Sequence, residues 1–310
     1  MKTHQFLFAF CVISLYSITA VRAQSIKNLS AKTDTVRIIT VPSEDSIKKK
    51  SHFTASLEFQ SNDVYLGRQD SSALPYFIPA LSYYTKSGLF AGVSVNYLNT
   101  GDISRGDLVT VDAGYLFTKG NYDGTFTLSK YFYNSQSTSV TSEILGSINY
   151  DNGYDFGFLR TSLSLNVNIG TQADFGAEFG IEHTIHGAGD KLEITPTLTA
   201  GASTQNFYSD YFKKKLGIQR SGKKSSGSGS ITGSIPNANA FKLLAYEASL
   251  PLTYTTGKLK ISFTPYYSIP LNAALVDVHA VTGGGQVVDK STTERIANTF
   301  WWTAGVSINF

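Results

Sequence analysis

Eleven stretches of this chain alternate apolar and polar residues with a period of two, and that pattern constrains the fold more than any other feature. The stretch at 299–310 shows the pattern along its whole length. Phe300, Trp302, Ala304, Val306, Ile308 and Phe310 occupy one parity, and Trp301, Thr303, Gly305, Ser307 and Asn309 the other. A strand with one greasy face and one small-polar face is the expected result, because successive side chains of an extended backbone point to opposite sides. The same reading applies at about 53–60, 88–98, 109–118, 122–133, 140–150, 160–169, 175–186, 191–203, 241–256 and 258–270, while the candidate strand 74–86 carries Pro75 and Pro79 and has two parities of nearly equal polarity. At 163–169 it is cleanest, with Leu163, Leu165, Val167 and Ile169 set against Ser164, Asn166 and Asn168.

The links between these stretches differ in kind. Five are tight and bear glycine: Lys86-Ser87-Gly88, Lys119-Gly120-Asn121, Asp151-Asn152-Gly153, Gly187-Ala188-Gly189-Asp190 and Thr256-Gly257-Lys258. Such sequences favour hairpin turns. Four of the intervening links, 62–73, 99–106, 206–239 and 271–297, are long. Short turns at one end and long loops at the other predict an antiparallel transmembrane β-barrel of about twelve strands, an all-β fold of the outer-membrane type. An even count returns both ends of the barrel to the periplasm. The ending at Phe310 resembles the closing strand of outer-membrane barrels, and the resemblance implies that Phe310 is a membrane-insertion signal read by the barrel-insertion machinery.

Composition agrees. Of 310 residues only 16% are charged and 13% are aromatic, and the formal charge is +3, too small for a nucleic-acid partner. Residues 1–23 read as a signal peptide: Lys2 and His4 precede an apolar run from Phe6 to Ile18, and Val21-Arg22-Ala23 offers small residues before a cleavage point. Cys11 lies within it, which leaves the remaining chain without disulfide or thiol chemistry. Residues 24–50 are polar and charged and are expected to be a mobile periplasmic lead-in, with a plug as the alternative. The barrel is expected over 51–310. A secreted β-sandwich would also alternate; strand length, loop asymmetry and aromatic strand ends favour the barrel.

In a membrane barrel the polar parity faces the lumen. Glu58, Asp112, Glu143, Arg160, Glu178, Glu182, Glu193 and Glu247 are therefore the lumen-lining candidates, and His186, Lys191, Lys258 and Lys260 join them along or at the ends of the wall. Both signs occur, so a mixed field without a strong charge preference is expected. Passage of small hydrophilic solutes is the expected function. A barrel closed by inward loops, structural or adhesive, stays open as the alternative. An enzyme of outer-membrane lipids would have to use Glu182, His183 or His186, which lack a third metal ligand at a recognisable spacing and a serine two positions on. No cofactor or metal site is expected. The segment 206–239 carries Lys213, Lys214, Lys215, Arg220, Lys223 and Lys224 before Ser225-Ser226-Gly227-Ser228-Gly229-Ser230. It reads as a flexible solvated loop, or as a contact for lipopolysaccharide phosphates.

One block resembles a known family. Ser61-Asn62-Asp63-Val64-Tyr65-Leu66-Gly67-Arg68, Ile78-Pro79-Ala80-Leu81 and Ser87-Gly88-Leu89-Phe90-Ala91-Gly92, within residues 57–97, look like the opening of the uncharacterised TorF-type porins of the outer membrane. The order Gly67-Arg68 is reversed from that pattern. The resemblance implies a barrel and a pore and transfers no catalytic residue or substrate.

Overall fold

A computed structural model describes residues 50–222, 230–281 and 285–310, with side chains left out at 216–222, 230 and 231. The expected signal peptide and nearly all of the lead-in lie outside these residues. The described residues open with β1 (His52–Gln60), the short pair β2 (Val64–Tyr65) and β3 (Arg68–Gln69), and β4 (Tyr76–Tyr84). β5 (Leu89–Asn99), β6 (Ser104–Lys119), β7 (Tyr122–Tyr133), β8 (Gly146–Asp155) and β9 (Arg160–Ile169) follow. Next come β10 (Ala173–Glu182), β11 (Ile185–Gly187), β12 (Leu192–Ile194), β13 (Thr197–Ser203) and the helix α1 (Asn206–Gly222). The remainder is β14 (Ser230–Ser234), β15 (Lys242–Ser249), β16 (Leu252–Thr256), β17 (Leu259–Pro270), β18 (Leu275–Val281), β19 (Val287–Thr293) and β20 (Thr299–Asn309).

These elements make a closed antiparallel barrel of 12 strands. Three of the twelve are interrupted: β10 continues as β11, β12 as β13 and β15 as β16. Pro196 and Pro251 stand at two of the breaks, where a missing N–H cannot continue the ladder. Closure runs through β20, which pairs with β1 (Leu57↔Val306) and with β17 (Ile261↔Val306). Phe53 and Phe310 seal the seam with reciprocal backbone bonds of 2.9 and 3.0 Å.

The outward parity is apolar all the way round. Leu57, Leu81, Val93, Val111, Leu128, Ile148, Leu165, Phe179, Leu198, Tyr246, Ile261 and Val306, one from each strand, are 39–55% exposed. A continuous belt of that kind is stable against lipid and not against water. The barrel therefore spans a membrane through its strands; among the described residues no helix is long and apolar enough to do so.

Three expectations are corrected. The Asp151-Asn152-Gly153 segment is not a turn. β8 runs on to Asp155, and the chain reverses at Phe156–Leu159, closed by a 2.9 Å bond from Phe156 N–H to the Leu159 carbonyl. The strand expected from 140 begins only at Gly146, because 134–145 is a loop folded inward that buries Val140 and Ile144. The segment from 206 opens with α1 instead of a solvated loop. Phe207, Tyr208, Tyr211 and Phe212 recur at helical spacing and share an apolar environment inside the barrel. Of the Gly/Ser run, 223–229 lie outside the described residues.

Candidate functional site: a lumen with one packed and one water-reached wall

The membrane-spanning lumen divides into two arcs. Along β4 to β9 the inward residues Ser82, Ser94, Thr110, Asp112, Thr125, Thr127, Ser129, Ser147, Asn149 and Ser164 are buried, and Asp151, Ser162 and Asn166 are partly exposed. Along β10, β13, β15, β17, β20 and β1 the inward residues Glu178, Thr199, Glu247, Ser249, Lys260, Ser262, Thr303, Ser307, Ser56 and Glu58 keep partial exposure, while Thr54, Gln60, Glu182, Thr197, Thr264 and Ser268 of the same strands are buried. Partial exposure is thus commoner on the second arc, the water-reached arc.

Each lumen-lining candidate has a distinct setting. Asp112 is 3% exposed on β6 and accepts a 2.5 Å bond from the Ser129 hydroxyl. Arg160 on β9 donates through Nη2 to Asp123 on β7 at 2.7 Å and through Nη1 to Glu182 on β10 at 2.6 Å. To reach Asp123 the guanidinium crosses β8 over Gly153, where an added Cβ would lie 2.0 Å from Nη2. That passage is the reason for glycine within the misread turn. Glu247 accepts a bond from Ser268. Glu58 stands across from Gly305 and Ile78 with no hydrogen bond or ion pair to other described residues. Glu178 lies beside Gly201, and Glu193 faces Lys260 electrostatically. Glu143 is not on a strand: it belongs to the 134–145 loop and pairs with Lys214 of α1 at 2.9 Å.

His186, Lys191 and Lys258 are exposed at the turn end of the barrel, and Arg160 is shared between two carboxylates. Lys260 lies on the water-reached arc, where Glu193 acts on it electrostatically, and Glu58, Glu178 and Glu247 lie on the same arc.

At the long-loop end the lumen is filled. The β2–β3 hairpin turns inward through Leu66 and Gly67, both in the left-handed region (φ 48° and 74°). A Cβ at Gly67 would meet Cβ of Pro270 at 2.9 Å. Val64 packs against Tyr266 and Trp301, whose rings stack at 3.9 Å and 4°. Tyr65 enters a cluster with Leu108, Tyr131, Val140, Ile144, Phe207, Tyr208, Tyr211, Ile235, Ala274 and Val276, and its hydroxyl accepts a 2.9 Å bond from Asn168. Trp301 and Tyr266 are therefore lumen residues.

Polar bonds fix this packing. Arg68, 1% exposed, donates to the carbonyls of Leu66 and Leu244 at 3.0 Å, Leu271 at 2.9 Å and Asn272 at 3.1 Å. Its Nε lies 3.9 Å from Glu294, which accepts a 2.5 Å bond from Tyr208. Burial lowers the Arg68 pKa, and Glu294 and Tyr208 oppose that shift. Asp174 at the top of β10 accepts the backbone N–H groups of Asn206 and Phe207 at 2.7 Å each and the Thr204 hydroxyl at 2.6 Å. It caps the first turn of α1 from outside the helix. Lys215 and Tyr211 of α1 bond Asp70 next to the hairpin. Lys213 pairs with Asp210 at 2.8 Å. The side chains of Lys213, Lys214 and Lys215 thus meet acids of this chain rather than presenting a free basic face.

His183 binds the Phe158 carbonyl through Nδ1 at 2.7 Å, and His186 is exposed beside the next turn. Glu182 is committed to Arg160. No group of three metal-ligating side chains occurs among the described residues. Arg68, Asp174, Asp70 and Asp63 were not singled out as site residues from sequence, because nothing in a local motif marks a loop that folds into its own barrel.

No protein-family model matches the chain, and no curated protein does. Among solved structures, the chain is similar to a KdgM porin at 10% identity, covering 83% of this chain and 99% of that one, with a TM-score of 0.42. It is similar to a NanC porin at 12% identity, covering 83% and 100%, with a TM-score of 0.45. BamA from Haemophilus ducreyi follows at 10% identity, 84% and 70%, and a TM-score of 0.32. At these scores the neighbours carry no inference about what this chain conducts or binds, which rests on its own wall chemistry.

Proposed function

We propose that this chain is a porin-like channel of the outer membrane for small hydrophilic solutes, with a preference for cations. The observation that carries the reading is the water-reached arc, where, among the described residues, the partly exposed acids Glu58, Glu178, Glu193 and Glu247 outnumber Lys260. Carboxylates on a low-dielectric wall raise the local concentration of cations and repel anions. In this reading Glu58, Glu178, Glu193 and Glu247 line the path. Asp112, Arg160 and Glu182 brace the wall, and Glu143 stands at the mouth. The outward Phe310, 59% exposed, is the insertion signal, and the 57–97 block is that of a TorF-type porin. Outer-membrane lipid surrounds the belt. The reading is not enzymatic: Glu182 is held by Arg160 and His183 by a backbone carbonyl.

Planar-bilayer recording of the refolded chain tests this. Conductance with a reversal potential on the cation side is expected, shifting toward zero when Glu58, Glu178 and Glu247 become glutamine. Anion selectivity would refute the charge assignment. A second reading, a structural or adhesive barrel, is favoured by the packed mouth. Silence of the barrel both with and without 206–239 and 271–297 would select it.

A further inference from the structure

The packing at the mouth contains one acid that is handled differently from its neighbours. Asp107 is 1% exposed and fully engaged: Tyr76 and Ser137 donate to it at 2.7 and 2.6 Å and Arg105 at 2.8 Å. Asp70 has Lys215, Tyr211 and the Ser71 N–H. Asp63, immediately before β2, is 4% exposed, and its Oδ2 has no hydrogen-bond partner. Among the described residues it has no cation of its own.

The titratable groups facing Asp63 come from every element packed around it. They are Asp70 of the same segment, Asp107 of β6 with Arg105, Tyr76 of β4, Tyr133 of β7, and Tyr211 of α1 with Lys215. Arg105 and Lys215 are already spent on Asp107 and Asp70, so the net environment of Asp63 favours its neutral form. A buried carboxylate without a cation is among the costliest groups a protein interior can hold.

We propose that residues 61–75 form a pH-released plug, held in the lumen while the Asp63 carboxyl is protonated and loosened when it ionises. Asp63 adjoins the residues that do the plugging, Val64 over the Tyr266–Trp301 stack and Tyr65 in the aromatic cluster. The segment is tied to the barrel wall only at its ends and through side chains, so it moves without breaking a strand of the barrel. Burial is the largest influence on Asp63 and pushes its pKa to about 7, with Asp107 and Asp70 adding to the rise and the Ser139 hydroxyl opposing it. The sign follows. The plugged form holds a proton that the released form gives up, so plugging is strongest below the ordinary carboxylate range. It weakens as pH rises and loses no more above about 7.

Trp301 reports the movement. In a Trp302→Phe background it is the single tryptophan of the chain, buried under Val64. Acrylamide quenching of the full refolded chain is measured from pH 4 to 9. The released fraction is expected to rise by up to about tenfold per pH unit between the carboxylate range and about pH 7, then level off. Asp63→Asn is expected to keep the low-pH value throughout, with heat-shifted gel mobility verifying that the barrel has formed. An Asp63→Asn profile matching wild type would overturn the proposal. Should that variant not refold, the wild-type profile decides: a flat curve overturns it. The switch stands apart from the channel reading, since conductance recorded in parallel separates them. Release of Trp301 in a barrel that never conducts keeps the switch and removes the channel.

Discussion

Arg68→Met removes the tie that holds the hairpin to three separate parts of the barrel. The guanidinium is buried and serves four carbonyls, on Leu66, Leu244, Leu271 and Asn272, while countering Glu294. Methionine fills much of the volume and makes none of these bonds. The Leu66 carbonyl and the two loop carbonyls at 271 and 272 lose their charged donor, and Glu294 keeps only Tyr208 and the Ala274 N–H. Hydrogen bonds to charged groups contribute about 1.5–3 kcal/mol each, but solvent enters a freed loop, so the bonds do not sum. Breaking a buried charge network costs roughly 3–5 kcal/mol. Because the barrel closes without the hairpin, the loss falls on local opening, not on global unfolding. Amide exchange at Tyr65 and Arg68 is the assay. At about 1.4 kcal/mol per tenfold, exchange should accelerate by roughly two to three orders of magnitude while amides of β6 and β7 are unchanged. Unaltered exchange at Tyr65 would refute the latch.

Other perturbations separate the parts of the account. Gly67→Ala places a Cβ 2.9 Å from that of Pro270 at a φ of 74°; a loss of about 1–3 kcal/mol is expected in the same exchange assay, and a neutral result would mean the turn readjusts freely. Arg160→Met strands Asp123 and Glu182, 2% and 3% exposed, and should lower barrel stability in urea by about 3–5 kcal/mol; a change under about 1 kcal/mol would show that water already serves these acids. Asp70 has its pKa lowered despite burial, which acts to raise it, because hydrogen bonds from Lys215, Tyr211 and Ser71 and the Lys215 charge prevail. Its contribution to docking α1 is present above the ordinary carboxylate range and lost as pH falls below about 4. Lys215→Met should abolish that acid step in helix protection, and persistence of the step would place it elsewhere.

The barrel was legible because its physics is local. Period-two alternation at 163–169 or 299–310 has one solution in a chain with a lipid-facing side, and tight glycine turns set the pairing order. The filling of the lumen was not. Val140 and Ile144 alternate with Thr141 and Glu143 as a strand would, yet they lie in a loop whose apolar residues answer to Tyr65 and Phe207, far away in sequence. The α1 spacing of Phe207, Tyr208, Tyr211 and Phe212 is a readable helical stripe, obscured by the lysines that follow it. Those lysines spoke for a solvated loop, while their acidic partners Glu143 and Asp70 sit on other loops. Parity assigns Glu58, Glu178 and Glu247 to the polar face, but the exposure of Lys191 and Lys258 at the turn end follows from the three-dimensional placement of the turns.

The most direct test of the central claim, a water-reached acidic path through a membrane barrel, is the reversal potential of single channels across a salt gradient above pH 7. Cation-selective conductance is predicted, with selectivity reduced by Glu58→Gln and Glu247→Gln and increased by Lys260→Gln. Anion-selective conductance would contradict the charge of the path, and no conductance at any pH, with or without 206–239 and 271–297, would contradict the path itself.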